Sequence, residues 1–140
     1  MALALSLASG AATAESAAGA TFDVQISGAR SDKGVIRLAV CPPQSGFPDC
    51  KTHAVRSASL PIAGGKSAIR LTGVPDGTYA IGVFHDANGN GKLDTFVGIP
   101  REGFGFSRNP SIKPRAPRFD ETKIEITNGG STAISLRYLL

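Results

Sequence analysis

The segment PDGTYAIGVFHD, residues 75–86, decides the fold class because it joins a turn to a strand. Residues 75–77 are a typical turn sequence, and the residues that follow alternate in hydrophobic character at Tyr79, Ile81 and Val83. Alternation with a period of two indicates a β-strand with one buried face. A tyrosine at the start of such a strand is typical of the tyrosine corner of Greek-key sandwiches, where its hydroxyl binds upstream backbone. We therefore interpret Tyr79 as structural.

The same alternation recurs in six other segments, which are separated by turns. Their apolar residues are Phe22, Val24 and Ile26; Ile36, Leu38 and Val40; Ala58, Leu60 and Ile62; Ile69 and Leu71; Ile124 and Ile126; and Ile134, Leu136 and Tyr138. No segment shows the spacing of an amphipathic helix. About seven short strands predict an all-β chain, an antiparallel two-sheet sandwich with an immunoglobulin-like or transthyretin-like Greek key. A small closed barrel is the alternative.

The composition agrees with this fold class. The chain has 140 residues, of which 41% are hydrophobic and 19% charged, which argues against disorder and against a coiled coil. The 17 glycines and 9 prolines indicate many short elements divided by turns. We expect residues 15–140 to form a single β-sandwich domain.

Residues 1–14, MALALSLASGAATA, have the features of a secretory signal peptide. They carry no charge and end in Ala12-Thr13-Ala14, the small-x-small pattern that signal peptidase accepts. The missing basic residue departs from the usual pattern. We expect a periplasmic or secreted protein without a transmembrane segment, because no other apolar run approaches the roughly 20 residues that span a bilayer.

Cys41 and Cys50 enclose a turn-rich sequence and predict a disulfide. A pair is the usual state of two cysteines in an exported protein. Two thiols without a nearby histidine or further cysteines are too few for structural zinc. Free thiols are the alternative.

Residues 85–118, HDANGNGKLDTFVGIPREGFGFSRNPSIKPRAPR, interrupt the strand pattern and predict one long loop of functional interest. Its first part, HDANGNGKLDTFVGIPREGFGFS, closely resembles the signature of an exported bacterial family called Domain of Unknown Function 2141. With the segments GVIRLAV and PDGTYAIGVFHD, the likeness covers most of the mature chain. The resemblance implies a periplasmic sandwich of undetermined role and supplies no activity. The loop from Cys41 to Cys50 and the basic sequence KPRAPR are departures from the signature.

The polar residues that open this loop have the spacing of an EF-hand calcium site. The candidate metal ligands are Asp86, Asn88, Asn90, the carbonyl of Lys92, and Asp94. They occupy positions one, three, five, seven and nine, with Gly91 at the sharp turn of position six, and ligands that are all oxygen suit calcium. Position twelve is Val97 instead of a bidentate glutamate. We therefore expect a weak site, with a Kd of roughly 0.1–1 mM unless Glu102 or Asp76 adds a ligand.

Two alternatives to this calcium site stay open. Asn-Gly pairs form turns readily, and Asp and Asn side chains can satisfy turn backbone without any ion. His85 could join as a ligand for a softer metal. Because it shares the strand register of Ile81 and Val83, we favour a hydrogen-bonded histidine at the edge of the sheet.

The second part of the loop predicts a basic, aromatic surface. Its candidate ligand-binding residues are Arg101, Phe104, Phe106, Arg108, Lys113 and Arg115. Together with Arg118, these basic side chains oppose the single acid Glu102, and their excess equals the net charge of +4 of the whole chain. Such a patch would attract an anionic envelope component, such as lipid headgroups or acidic glycans. The alternatives are a solvated basic loop and phenylalanines that only pin the loop to the sandwich.

These features favour a non-enzymatic binding or structural module of the periplasm. Export removes nucleic acid as a partner, and no recognition motif for it is visible. No nucleophile elbow or zinc-binding histidine pair occurs, so we expect no catalytic residues. A small hydrolase or transferase that uses His85 with Asp86 or Glu102 is the alternative. A purely structural module with a protein partner at an open sheet edge is a third possibility.

Overall fold

The computed structural model describes residues 20–50 and 52–140, and this part of the chain is all-β, as predicted. The elements are β1 (Ala20–Ser27), β2 (Val35–Cys41), β3 (Arg56–Leu60), β4 (Ser67–Val74), β5 (Gly77–Asp86), β6 (Thr95–Phe96), β7 (Ile99–Pro100), β8 (Phe104–Phe106), α1 (Phe119–Thr122), β9 (Ile124–Ile126) and β10 (Gly130–Ser135). Each of the seven segments with alternating apolar residues contains a strand, although Ile62, Leu136 and Tyr138 lie outside the strands. The additional strands β6, β7 and β8 bring the number among the described residues to ten, instead of about seven. The predicted signal peptide, residues 1–14, lies outside the described residues. Within those residues, no helix has the length and apolar character needed to cross a membrane.

Two sheets carry most of the strands. The first has the order β10-β1-β4, and the second has the order β3-β2-β5-β8, with β9 paired to the start of β5. Neighbouring strands are antiparallel except β1 and β10, which run parallel from Phe22 opposite Gly130 to Ser27 opposite Ser135. The prediction of a wholly antiparallel sandwich is wrong for this pair. The hairpin of β6 and β7 forms a separate two-stranded unit.

One hydrophobic core receives side chains from both sheets. Its buried members on β1 and β2 are Phe22, Val24, Ile26, Ile36, Leu38 and Val40. These are the alternate residues that the period-two pattern assigned to the inner faces. Burying each aliphatic or aromatic side chain contributes about 1.5–3 kcal/mol, so the core fixes which face of each strand points inward and which carries polar residues.

Residues 85–118 do not form one long loop, contrary to the prediction. The strand β5 continues through Asp86, and β8 pairs with it antiparallel, so that Gly82 lies opposite Phe106. The alternation in Gly-Phe-Gly-Phe is the strand signal that could have identified β8. Because β8 covers one side of β5, the latter is an interior strand of its sheet.

The strand β8 also joins the two sheets along one side. Phe104 exchanges two backbone hydrogen bonds with Arg137, which follows β10. Gly105 permits this approach, since a Cβ atom there would lie 2.7 Å from Cγ2 of Ile134. The two sheets are therefore connected by backbone hydrogen bonds at one edge. A small closed barrel, the alternative considered from the sequence, would have such a connection too.

We call the end of β5 at Gly77 the turn end and the end at Asp86 the loop end. At the turn end, the Tyr79 hydroxyl donates a hydrogen bond of 2.7 Å to the Pro75 carbonyl, which confirms the tyrosine corner. Cys41 lies opposite Ala80 and is bonded to Cys50, which confirms the predicted disulfide.

Candidate functional site

Asp86 anchors the loop end of β5 and its side chain has no solvent exposure. Its Oδ2 atom accepts hydrogen bonds from Nε of Arg37 at 2.6 Å and from the backbone N–H of Gly91 at 2.8 Å. Its Oδ1 atom accepts one from the backbone N–H of Asn90 at 3.1 Å. A buried carboxylate needs such partners, because its desolvation is otherwise costly. Asp86 therefore pairs with a neighbouring strand and also fixes the turn that follows.

The charge state of Asp86 follows from these contacts. Burial raises the pKa of its carboxyl group, but the hydrogen bond and charge of Arg37 and the N–H groups of Gly91 and Asn90 lower it by more. The pKa is thus below its usual value, and Asp86 and Arg37 form an ion pair at neutral pH. Arg37 lies between the buried residues Ile36 and Leu38. The alternation therefore predicts that its side chain faces solvent, but it does not predict the ion pair with Asp86.

Gly34 allows the chain before β2 to approach Asp86. It has a φ of +71°, and a Cβ atom at this position would overlap the carbonyl oxygen of Asp86 and the backbone of Ala87. Only glycine combines this conformation with this proximity. The position of the loop end therefore depends on a glycine in a distant part of the sequence.

The side chains of Asn88 and Asn90 converge on Asp94. Nδ2 of Asn88 donates to Oδ2 of Asp94 at 2.7 Å, and Nδ2 of Asn90 donates to Oδ1 at 2.7 Å. The Oδ1 atoms of the two asparagines accept the backbone N–H groups of Asn90 at 3.2 Å and Lys92 at 2.9 Å. The loop of residues 86–94 thus brings together the side chains of Asn88, Asn90 and Asp94. The fourth side chain that the EF-hand spacing selected, Asp86, is held by Arg37 and backbone N–H groups instead.

Of the two additional ligands considered from the sequence, the structure places Glu102 at the loop. Its Oε2 atom accepts the backbone N–H of Ala87 at 3.1 Å and its Oε1 atom accepts that of Asp94 at 3.0 Å. Asp76 precedes the ten-residue strand β5 and lies at its turn end, about 30 Å away. The expectation that Asp76 could join the site is wrong.

An open cleft of about 580 Å³ lies beside these residues. Its lining consists of Ala87, Asn88, Asp94, Thr95, Arg101 and Glu102. In the described part of the chain, no three side chains of His, Cys, Asp or Glu are grouped closely enough to hold a metal ion. A cation in this cleft would therefore need amide and carbonyl oxygens as well as carboxylates, which are ligands that calcium accepts and softer metals do not prefer.

His85 is a buried, hydrogen-bonded histidine, as the strand register predicted, but it lies on an interior strand. Its Nε2 atom donates to the Lys33 carbonyl at 2.7 Å, because a carbonyl can only accept. Nδ1 is then the acceptor for the Tyr138 hydroxyl at 2.8 Å. That hydroxyl also accepts the backbone N–H of Arg30 at 3.0 Å. His85 thus connects three segments of the chain.

The structure divides the predicted basic surface into two parts. Arg101 lies at the cleft, whereas Lys113 and Arg115 both contact Glu121, at 3.0 and 2.8 Å. Hydrogen bonds from Arg115, from the Arg118 backbone and from Lys113 hold the pKa of Glu121 well below its usual range. Glu121 lies beyond residues 85–118, so the charge balance of that segment alone misses it.

The other members of that surface contact the protein itself. Phe106 is half-buried and its ring lies 5.6 Å from that of Phe47, which in turn lies 6.3 Å from that of Phe119. The cavity beside Phe104 and Phe106 measures about 20 Å³, enough for about one water molecule. The Arg108 guanidinium donates to the backbone carbonyl of Asp120 at 3.4 Å. These contacts favour phenylalanines that pin the segment to the sheet.

Comparison with known proteins yields a family and no activity. The family model described as "Uncharacterized protein conserved in bacteria (DUF2141)" matches residues 24–135. The matched range contains the loop of residues 86–94 and all strands from β2 to β10. No curated protein and no solved structure matches the chain at a significant level.

Proposed function

The chain belongs to the Domain of Unknown Function 2141 family of uncharacterized bacterial proteins, and we propose that it is a non-enzymatic, exported binding module that holds a calcium ion in the loop of residues 86–94. The proposed scaffold is a sandwich of the immunoglobulin-like or transthyretin-like Greek-key type. Two sheets that share one core support this choice.

The observation that carries the proposal is the convergence of Asn88 and Asn90 on the carboxylate of Asp94. Among the described residues, no cationic side chain pairs with Asp94. Two amide groups face its oxygens instead. Rotation of an amide exchanges its NH₂ group for its oxygen and gives up the backbone hydrogen bond that this oxygen accepts. After rotation of both amides, a cation at this place would have oxygen ligands from all three side chains. Calcium suits such a flexible set better than magnesium, which requires a nearly ideal octahedron.

The charged side chains around Asp94 also favour a divalent cation at this place. Glu102 contributes a second carboxylate close to Asp94, and both of its oxygens retain a lone pair beyond the backbone N–H groups that they accept. Both residues line the same cleft, so a divalent cation there would have two anionic side chains as neighbours. The competing explanation is a turn without an ion, in which the same side chains serve only as backbone acceptors. The two explanations differ in their response to calcium.

No contact of the described residues favours the alternative of a hydrolase or transferase based on His85. Both ring nitrogens of His85 already have partners within the protein, and only 2% of its surface is exposed. A general base would need a free nitrogen or oxygen within reach of a substrate.

A thermal melt with and without calcium tests the proposal. At a calcium concentration of about ten times Kd, selective binding to the folded state stabilises it by about 1.4 kcal/mol, which corresponds to a rise in Tm of roughly 5 °C. The variant Asp94→Asn should lose this rise because it removes one carboxylate while keeping the shape. The variant Asp76→Asn, which alters an exposed carboxylate at the turn end, should respond as the wild type does.

Identical melting curves in calcium and in chelator would overturn the proposal. So would a full calcium response in Asp94→Asn. Asp86 is unsuitable for this test, since its carboxylate holds Arg37 and the turn backbone whether or not an ion is present.

A further inference from the structure

The hairpin of β6 and β7 exposes an apolar tip, residues 96–99. Phe96 lies opposite Ile99, and Val97 and Gly98 form the turn between them. The exposed fractions are 58% for Phe96, 83% for Val97 and 43% for Ile99. Apolar side chains grouped in this way at a protruding turn mark an interaction site more often than an isolated exposed residue does.

The turn of this hairpin is occupied by a residue that does not suit its conformation. Val97 has a φ of +52° and Gly98 one of +77°, which are values of a type I′ turn, where Asn-Gly is the preferred pair. A β-branched residue in the left-handed region is an outlier that lowers stability. Asn at position 97 would fit the backbone better, so the folding of the hairpin gives no reason for a valine there.

A cation that is unpaired among the described residues adjoins the tip, whereas the carboxylates of the neighbouring cleft have hydrogen-bond partners. Lys92 and Arg101 are exposed, and neither pairs with a carboxylate among the described residues. The Arg101 guanidinium lies 5.8 Å from the centre of the Phe96 ring. The carboxylates of Asp94 and Glu102, in contrast, line the adjoining cleft and accept hydrogen bonds from side-chain amide and backbone N–H groups. A surface that meets this tip therefore encounters apolar side chains with the Arg101 guanidinium beside them.

We propose that residues 96–99 insert into the surface of an anionic lipid bilayer, with Arg101 contacting headgroup phosphates. Apolar side chains at the acyl boundary with basic side chains beside them are typical of interfacial membrane binding, and each nearby cation strengthens attraction to an anionic leaflet. A protein partner fits less well, because a stable protein interface buries about 800 Å² on each side, far more than three side chains on a convex turn offer.

Co-sedimentation with lipid vesicles tests the inference, with chelator present so that the result does not depend on the proposed calcium site. The wild type should bind vesicles of phosphatidylglycerol and phosphatidylcholine at low salt, and bind phosphatidylcholine vesicles much less. Val97→Asn should bind roughly tenfold more weakly, and Phe96→Ser combined with Val97→Asn roughly a hundredfold more weakly. Because Asn suits the turn, Val97→Asn should melt at or above the temperature of the wild type.

Three further variants distinguish insertion of the tip from nonspecific hydrophobic binding and from an effect of net charge. Ile112→Ser removes another exposed apolar side chain, 47% accessible, and should leave vesicle binding unchanged. Arg101→Gln should weaken binding to anionic vesicles roughly fivefold, whereas Arg70→Gln, at the exposed ion pair with Asp23, should not. The inference is wrong if the wild type does not bind anionic vesicles, if Val97→Asn binds as tightly as the wild type, or if the control variants lose as much binding.

Discussion

The two ends of β5 are held in place by contacts of different range. At the turn end, Tyr79 reaches back only four residues to Pro75, and the disulfide spans nine positions. At the loop end, Asp86 pairs with Arg37, which lies 49 positions away, and His85 binds Tyr138, which lies 53 positions away. In addition to the backbone pairing of β9 with its first residues, the turn end is thus secured by side-chain contacts between neighbours in sequence. The loop end, which carries the candidate site, is secured by tertiary structure.

This difference predicts that the loop end is the more sensitive of the two to substitution. Asp86→Ala should lower the free energy of unfolding by about 3 kcal/mol, because it leaves Arg37 without its partner and two backbone N–H groups without an acceptor. Urea unfolding measures this change. Asp23→Ala removes a carboxylate from an exposed pair with Arg70 and should change stability little. Equal losses in the two variants would mean that the buried pair does not hold the loop end.

The two tyrosine hydroxyls permit a direct comparison of the ends. The Tyr138 hydroxyl makes two hydrogen bonds, to His85 and Arg30, whereas that of Tyr79 makes one, to Pro75. Removing the hydroxyl should therefore cost about 2 kcal/mol in Tyr138→Phe and about 1 kcal/mol in Tyr79→Phe. Both values come from urea unfolding at neutral pH. A larger loss in Tyr79→Phe would reverse the comparison.

The smallest effect is expected in acid. Since the pKa of Asp86 is lower in the folded state, the stability that its ion pair adds is complete above the unfolded-state pKa of about 4 and is lost as the pH falls through the folded value. Below about pH 4, the wild type should therefore lose stability more steeply with falling pH than Asp86→Asn does. Glu121, whose pKa is also lowered, contributes the same pH dependence of stability to both proteins. The difference between their slopes therefore reports on Asp86.

Urea unfolding at a series of pH values measures these slopes. The variant Tyr79→Phe, which is altered at the turn end only, should lose stability with falling pH as steeply as the wild type does. Parallel curves for the wild type and Asp86→Asn would indicate that the carboxylate of Asp86 has the same pKa in both states.

The sequence predicted the parts of the fold that depend on local pattern. Period-two alternation located seven strands, and the position of Tyr79 after a turn predicted its hydrogen bond. The parallel pairing of β1 with β10 was not predictable in this way, because alternation is the same for parallel and antiparallel neighbours. The strand β8 was missed although Phe104 and Phe106 alternate, because the glycines beside them are typical of turns and loops.

At the candidate site too, local sequence pattern predicts some contacts but not those that depend on tertiary structure. The spacing from Asp86 to Asp94 indicated that these side chains meet, and in the structure Asn88, Asn90 and Asp94 contact one another. The choice between Glu102 and Asp76 required the direction of β5, which places them at opposite ends. The pairing of Lys113 and Arg115 with Glu121 required the position of α1, which no local pattern supplied.

The parallel pairing of β1 with β10 also affects the order in which the protein folds. It joins segments separated by most of the chain, so a large loop must close before the contact forms. Neighbours in sequence such as β2 and β3 can pair earlier, whereas the three-stranded sheet is completed only when β10 arrives. Until then β1 has one open edge that another chain could occupy. The period before β10 docks is therefore when a newly made molecule is most exposed to aggregation.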